Sequence, residues 1–136
     1  VYVKAFFSVI IPTYNRNQLT ERAVASVLGQ TCDEFEVIVV DDGSREPFVL
    51  DGDFPQRCTI LRQDNHGVAH ARNVGIAQAQ ADWICFLDSD DEFAPHKLAT
   101  RHIQTICQMR IIVKRGNTLV SQRQHMRQGC VIQRFG

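Results

Sequence analysis

Residues 35–44 of the chain read FEVIVVDDGS, an apolar run rich in β-branched residues that ends abruptly in two carboxylates, a glycine and a serine. The part from Phe35 to Val40 predicts a buried strand, because Val and Ile favour strands and the run is strand-sized. A similar run from Ser8 to Ile11 precedes it, and between the two the apolar residues from Leu19 to Leu28 recur at helical spacing. Strand, helix and strand over this length are typical of a βαβ unit with parallel strands.

The ends of these first elements carry turn and cap signals. Pro12 is expected to stop the first strand, because proline cannot donate to a β-ladder. Asn17 is the predicted N-cap of the helix, and Gly29 lies near its end. A polar loop is therefore expected directly after the first strand.

The same alternation continues downstream. We expect a short third strand from Cys58 to Leu61, an Ala-rich second helix from Gly67 to Ala79 and a fourth strand from Trp83 to Leu87. A third helix is predicted from His96 to Cys107, with Pro95 at its first turn. Apolar strands alternating with helices indicate an α/β domain with a mostly parallel sheet covered on both faces. Such sheets bind ligands outside the carboxyl ends of their strands.

The composition is that of a folded domain, with 44% hydrophobic and 22% charged residues. The longest apolar runs fall well short of the roughly 20 residues that cross a bilayer, and the first of them lacks the cleavage site of a signal peptide. The five cysteines are scattered without a C-x-x-C pair, so they indicate neither a disulfide framework nor a zinc ribbon. These observations favour a cytoplasmic protein with reduced thiols.

Charge is divided sharply along the chain. All fifteen Asp and Glu residues lie at or before Glu92 with seven of the fifteen Lys and Arg residues, so this part carries −8 and the remainder +8. Beyond the third helix the pattern indicates a hairpin of residues 110–114 and 118–121. The basic segment is a candidate for contact with anionic lipid, which would make the protein peripheral to the inner face of the membrane. A plain solvated helix and tail is the alternative.

The acidic cluster Asp88-Ser89-Asp90-Asp91 follows the fourth predicted strand. Asp88 and Asp90 are two residues apart in extended chain, so their carboxylates project to the same side, with Asp91 beside them. Carboxylates and substrate phosphates together are a usual way of holding Mg²⁺ or Mn²⁺. The alternative is a solvated acidic turn. His66 and His70 are a weaker metal candidate, because no third ligand follows at helical spacing.

Four motifs occur in a characteristic order. They are residues 8–16 (SVIIPTYNR), 40–44 (VDDGS), 65–67 with 71–75 (NHG and ARNVG) and 86–91 (FLDSDD). This succession resembles the family 2 glycosyltransferases of the Rossmann-like GT-A fold, over roughly residues 7–98. The resemblance implies a nucleotide-diphospho-sugar donor, most often a UDP-sugar, and inverting transfer to an acceptor hydroxyl with a divalent metal. It implies no nucleic-acid partner, and it points to biosynthesis of cell-envelope polysaccharide.

The resemblance also implies roles for individual residues. It assigns to the donor Pro12, Thr13, Tyr14, Asn15, Asp42, Arg72, Asp88 and Ser89. It assigns to the metal Asp90, with Asp88 and Asp91. Tyr14 is expected to stack on the base and Asp42 to accept a hydrogen bond from the uracil edge. The alternatives are a turn role for Asp42 and a surface salt bridge for Arg72.

The general base is where the sequence departs from the family. An inverting transfer needs a carboxylate beyond the metal motif, yet no Asp or Glu follows Glu92, so no catalytic residue is identified. We therefore expect a truncated or divergent donor-binding domain at residues 1–107 and, at 108–136, a basic remnant of the acceptor side. The acceptor would be a saccharide or a lipid-linked saccharide. A non-catalytic nucleotide-sugar-binding protein is the alternative, whereas a nucleotidyltransferase or a dehydrogenase would need glycines after Ile11.

Overall fold

The computed structural model describes residues 4–52, 56–100 and 132–134. Its elements in chain order are β1 (Phe7–Thr13), α1 (Asn17–Leu28), β2 (Phe35–Asp41), β3 (Cys58–Arg62), α2 (Val68–Gln78), β4 (Trp83–Phe86) and β5 (Ile132–Arg134). The strands form one sheet in the order β3-β2-β1-β4-β5. The first four strands are parallel, and β5 pairs antiparallel with β4. The predicted α/β fold with a mostly parallel sheet is confirmed.

Helices cover both faces of the sheet, and the alternation of side chains in the strands supplies an apolar surface to each. On β1, Phe7, Val9 and Ile11 belong to the cluster that includes the buried face of α1. Ile10 belongs instead to a second cluster, with Ala71 of α2. Successive residues of a strand point to opposite faces, so burial of all seven residues of β1 follows from its central place between the two helices.

The prediction that Pro12 ends the first strand is wrong, because β1 runs through Pro12 to Thr13 in register with β2. In a parallel strand the N–H and C=O groups of one residue point to the same neighbour. Ile10 accepts a hydrogen bond from Leu87, on the β4 side, and Pro12 lies two residues further on and faces that side too. Pairing with β4 ends at Ile10. The missing N–H of Pro12 therefore removes no ladder hydrogen bond.

The first helix begins earlier than predicted. It starts at Asn17 with Arg16 in the cap position and with no side-chain cap hydrogen bond, so the prediction of Asn17 as N-cap is wrong. The side-chain amide of Asn17 donates instead to the backbone carbonyls of Glu46 and Pro47, at 3.2 and 3.4 Å. It thereby anchors the loop that follows β2. Gly29, predicted to lie near the end of the helix, is its C-cap.

Downstream, the predicted third strand, second helix and fourth strand all form, each within one residue of its predicted bounds. Of the predicted third helix, residues 97–100 are helical, and the rest lies outside the described residues. The predicted hairpin and the boundary between residues 107 and 108 also lie outside them. The antiparallel strand β5 was not predicted from the sequence.

Candidate functional site

The order of the strands reverses between β1 and β4. From β1 the chain proceeds to β2 and β3 on one side, and then returns to β4 on the other side of β1. Such a reversal of strand order is the topological switch point at which open α/β sheets bind ligands. The loop after β1 and residues 87–91 after β4 follow the two strands at this switch point, and the loop after β2 follows the neighbouring strand. The fold therefore brings the predicted polar loops to one edge.

Asp41 at the end of β2 serves the turn that follows it. Its buried carboxylate accepts hydrogen bonds from the backbone N–H groups of Ser44 and Phe48, at 2.9 and 3.0 Å. Arg62 Nη1 adds an ion pair at 2.6 Å. Burial raises the pKa of Asp41, but the hydrogen bonds from Ser44 and Phe48 and the charge of Arg62 outweigh it and hold the pKa below its ordinary value.

Asp42 ties the end of β2 to the start of α2. Its carboxylate accepts hydrogen bonds from Gln63 Nε2 at 2.7 Å and from the backbone N–H groups of His66 and Gly67 at 2.8 and 2.9 Å. Burial raises its pKa, but these three bonds outweigh it and leave the pKa lowered. A carboxylate has about four acceptor sites, so these bonds leave room for one more donor. The predicted contact with a uracil edge stays a prediction.

The first loop presents one exposed aromatic ring. Tyr14 is 48% exposed, whereas Pro12 and Thr13 are buried within β1. The Thr13 hydroxyl lies 2.6 Å from the Thr20 hydroxyl of α1. Of the predicted nucleoside contacts, Tyr14 is therefore the residue whose side chain is free to meet a base, and Pro12 and Thr13 shape the backbone beneath it.

Asn15 joins the first loop to the second. Its backbone is in the left-handed region, with φ of 53°, a conformation that Asn tolerates better than most residues. Its N–H donates to Ser44 Oγ at 2.8 Å, and its Oδ1 accepts from the N–H of Arg45 at 2.8 Å. Asn15 was predicted to bind the donor, and its side-chain oxygen is already engaged in holding the two loops together.

The acidic cluster is paired with two arginines. Arg72 Nη2 lies 2.8 Å from Asp88 Oδ1, and Arg16 Nη1 lies 3.0 Å from Asp90 Oδ2. Asp91 is exposed, and its N–H donates to the carbonyl of Asp88 at 3.0 Å. Ser89 is buried, whereas Asp88 and Asp90 on either side of it are exposed. Arg16 was not predicted as a site residue, although it is the last residue of the first motif.

The carboxylates do not converge as a preformed metal cage. Across residues 4–52 and 56–100, no three His, Cys, Asp or Glu side chains are close enough to hold one ion, and this includes Asp88, Asp90 and Asp91. Hard cations in phosphate-transfer sites commonly take one or two carboxylates and complete their shell with phosphate oxygens and water. These carboxylate oxygens fit a cation that is bound together with a diphosphate better than a cation that is bound by protein alone.

Arg72 has unused hydrogen-bonding capacity beside this cluster. Its Nε is buried and has no hydrogen-bond partner among the described residues, while its guanidinium lies 5.5 Å from the centre of the Phe86 ring. A salt bridge with Asp88 does form, as the alternative interpretation held. Because a buried donor without a partner is costly, the same guanidinium is suited to a further acceptor such as a phosphate oxygen.

The comparison with protein families agrees with this geometry. The family model described as Glycosyl transferase family 2 matches residues 8–127, which is most of the chain. The chain belongs to this family. The resemblance inferred from its motifs is thereby confirmed.

Individual relatives support the assignment. An uncharacterized glycosyltransferase of Haemophilus influenzae is 42% identical over 91 residues, 66% of this chain and 31% of that protein. The succinoglycan biosynthesis protein ExoW of Rhizobium meliloti is 39% identical over 102 residues, 69% of this chain and 32% of that protein. The chain therefore spans about a third of the length of these curated relatives.

A solved structure supports the fold as well. The structure of residues 1–349 of TarS from S. aureus in complex with UDP is 26% identical and superposes with a TM-score of 0.66, covering 85% of this chain and 38% of that one. The family 2 chain described here shares the GT-A architecture of that protein. Among the described residues, no helix is long and apolar enough to cross a membrane.

Proposed function

We propose that this family 2 protein is an inverting glycosyltransferase that takes a sugar from a UDP-sugar, with Mn²⁺ or Mg²⁺, to the hydroxyl of an acceptor. The observation that carries the proposal is the grouping at the β1–β4 switch point. Asp88 and Asp90 lie there with two arginines, and the loop after β1, at the same edge of the sheet, carries the exposed ring of Tyr14. Carboxylates for a cation and guanidiniums for phosphate are the groups that a nucleotide-diphospho-sugar requires.

The nucleoside would lie over the first two loops. Tyr14 offers an exposed ring on which a base can stack. Asp42 would accept the N–H of a uracil, since donors in the described part of the chain occupy three of its roughly four acceptor sites. Asn15 would act by fixing the geometry of both loops. The UDP complex of TarS, the 26% identical neighbour, supports the choice of a uridine nucleotide.

The diphosphate would lie against the acidic cluster. A divalent cation would be held by Asp88, Asp90 and Asp91 with help from phosphate oxygens. Ser89 would contribute its backbone and hydroxyl to binding of the sugar donor. Arg72, whose side chain is 37% exposed, would place the exposed part of its guanidinium on the diphosphate. When bound, the cation would neutralise the negative charge that develops on the departing diphosphate.

A second candidate function is donor binding without transfer by this chain. The sequence has no Asp or Glu after Glu92, so the expected carboxylate base is not among residues 93–136. In that case residues 1–107 would bind the donor, and residues 108–136 would belong to the acceptor side. A saccharide or lipid-linked saccharide acceptor would then be positioned by other parts of a longer protein.

Calorimetry with UDP and GDP, each with and without Mn²⁺, tests donor binding. UDP should bind more tightly than GDP, and Mn²⁺ should strengthen UDP binding. Asp90→Asn should lose most of the metal-dependent gain, whereas Asp82→Asn should behave as wild type, because Asp82 precedes β4 at the opposite edge of the sheet. Equal binding of UDP with and without Mn²⁺ would contradict the metal assignment.

A transfer assay separates the two candidate functions. UDP-sugars with Mn²⁺ and saccharide acceptors should give product that Asp90→Asn abolishes if the chain is itself a transferase. Donor binding without turnover, under the conditions at which calorimetry detects UDP, would favour the donor-binding candidate.

We also propose that the basic segment after Glu92 associates with the inner, cytoplasmic face of the membrane, near a lipid-linked acceptor. The +8 charge of residues 93–136 supports this. Sedimentation with vesicles should show binding that grows with the fraction of anionic lipid and weakens with salt. Binding that is indifferent to lipid charge would contradict the proposal.

A further inference from the structure

Arg16 is a cationic neighbour of the acidic cluster to which the sequence analysis assigned no role. Its Nη1 lies 3.0 Å from Asp90 Oδ2, and both side chains are 51% exposed. Arg72 makes the matching contact with Asp88, at 2.8 Å. The two carboxylates of the Asp-x-Asp pair are thus each held by a guanidinium, one from the cap of α1 and one from within α2.

The position of Arg16 is not explained by the stability of α1. Arg16 is the N-cap residue, its side chain makes no cap hydrogen bond, and the first turn contains no acidic residue. A helix N-terminus carries partial positive charge, so a cation there is unfavourable, and Arg is not among the preferred cap residues. An anion in front of the helix would account for a cation at this position.

The charges of the cluster favour a second cation for a diphosphate. Asp88, Asp90 and Asp91 against Arg16 and Arg72 leave one net negative charge. With a divalent cation bound, the same groups carry one net positive charge, which attracts a diphosphate. Without Arg16 that attraction would be lost, because the net charge would be zero. Exposed ion pairs are weak, so Arg16 can leave Asp90 when a cation takes that carboxylate.

We propose that Arg16 is a second diphosphate-binding arginine, held on Asp90 while the donor is absent and transferred to the diphosphate when cation and donor bind. The inference rests on the proposed donor-binding function. It has two consequences of opposite sign. Loss of Arg16 frees Asp90, so a cation alone binds more tightly, but UDP binds more weakly. If the ion pair had no role in ligand binding, loss of Arg16 would strengthen cation binding and leave UDP binding unchanged.

Arg16→Gln tests this against Arg22→Gln, a matched control in which an exposed arginine of α1 pairs with the next acidic residue, Glu92. Mn²⁺ is titrated alone by electron paramagnetic resonance of the free ion, and UDP is titrated by calorimetry at saturating Mn²⁺. We expect Arg16→Gln to bind Mn²⁺ about threefold more tightly and UDP about tenfold more weakly. Arg22→Gln should match wild type in both, and Arg16→Lys should recover part of the UDP affinity.

The outcomes distinguish this inference from the function on which it rests. If wild type binds UDP with Mn²⁺ and Arg16→Gln binds it equally well, Arg16 is a surface ion pair and the inference is overturned while the proposed function stands. If wild type does not bind UDP with Mn²⁺, both fail. The thermal unfolding midpoint of Arg16→Gln should equal that of wild type. Such a result would show that the loss of UDP affinity does not come from misfolding.

Discussion

Two adjacent aspartates after β2 show how differently single carboxylates are used at this site. Asp41 and Asp42 are 1% and 4% exposed, and each accepts hydrogen bonds from two backbone N–H groups and one side chain. Asp41 stabilises its own turn, whereas Asp42 reaches the segment that begins α2. Both therefore contribute to stability in their ionised form.

Acid should remove this contribution. Both pKa values are lowered in the folded protein, so the stabilisation is complete above the unfolded-state value of about 3.9 and is lost as the pH falls through the lower folded values. Asp41→Asn replaces one carboxylate oxygen by an amide NH₂ group, which would face the N–H of Phe48 or the guanidinium of Arg62 if it takes the place of Oδ2. The substitution should lower the free energy of unfolding at pH 7 by about 2 kcal/mol. Asp33→Asn, at a side chain 81% exposed, is the control.

Urea unfolding at several pH values between 7 and 3 measures this effect. The difference between wild type and Asp41→Asn should narrow as the pH falls below about 4. A difference that stays constant to pH 3 would mean that ionisation of Asp41 does not stabilise the fold.

Gly75 allows α2 to lie close to the sheet. A Cβ atom at this position would lie 2.5 Å from Cγ2 of Ile10, in the middle of β1. Gly75→Ala should therefore destabilise the protein by about 1–3 kcal/mol, although Ala is the better helix former. Asn73→Ala, at an exposed position of the same helix, should be neutral or stabilising. Equal stability of the two variants in urea unfolding would refute the packing argument.

At the scale of elements, the apolar periodicity predicted the strands and helices of the described residues except β5, and it placed most of their ends within one residue. The largest errors lie at the end of β1 and the start of α1. Pro12 was expected to end a strand and Asn17 to cap a helix because each residue often does so. Neither does so here, because tertiary neighbours decide its role. Pro12 lies where one ladder has already ended, and Asn17 is engaged with a loop thirty residues away. The neighbours that decide these ends come from the tertiary fold.

The C-terminal end of α1 fixes the segment that follows the acidic cluster. Gln30 Nε2 donates to the carbonyl of Ala94 at 2.8 Å, and its Oε1 accepts from the N–H of Leu98 at 2.9 Å. Ser26 Oγ accepts from the N–H of Phe93 at 3.0 Å. These bonds hold one end of the loop that carries the predicted metal ligands.

Gln30→Ala should loosen this clamp. Gln30 is 7% exposed, so its loss leaves main-chain groups of the segment without partners and should cost about 2 kcal/mol of unfolding free energy. UDP affinity with Mn²⁺ should fall as well, because the acidic loop loses one anchor. Gln18→Ala, at an exposed position of α1, is the control. If both variants bind UDP alike, the clamp has no influence on the site.

At the scale of the whole molecule, the site is assembled by topology. The alternation of strands and helices was enough to predict that the polar loops meet at one edge, because parallel strands end there together. The pairing of Arg16 with Asp90, 74 residues apart, could not be read from local patterns. Nor could β5, whose three residues have no period of their own and become a strand by pairing with β4.

Because the site joins loops from β1, β2 and β4, a ligand held by all of them should stabilise the entire domain. At one hundred times its dissociation constant, UDP with Mn²⁺ should add about 2.7 kcal/mol to the free energy of unfolding. Thermal unfolding should show this as a rise of about 5 °C or more in the midpoint. EDTA should remove most of the rise, and Asp90→Asn should remove it where Asp82→Asn does not. A UDP-induced rise that survives both EDTA and Asp90→Asn would place the nucleotide away from the acidic cluster.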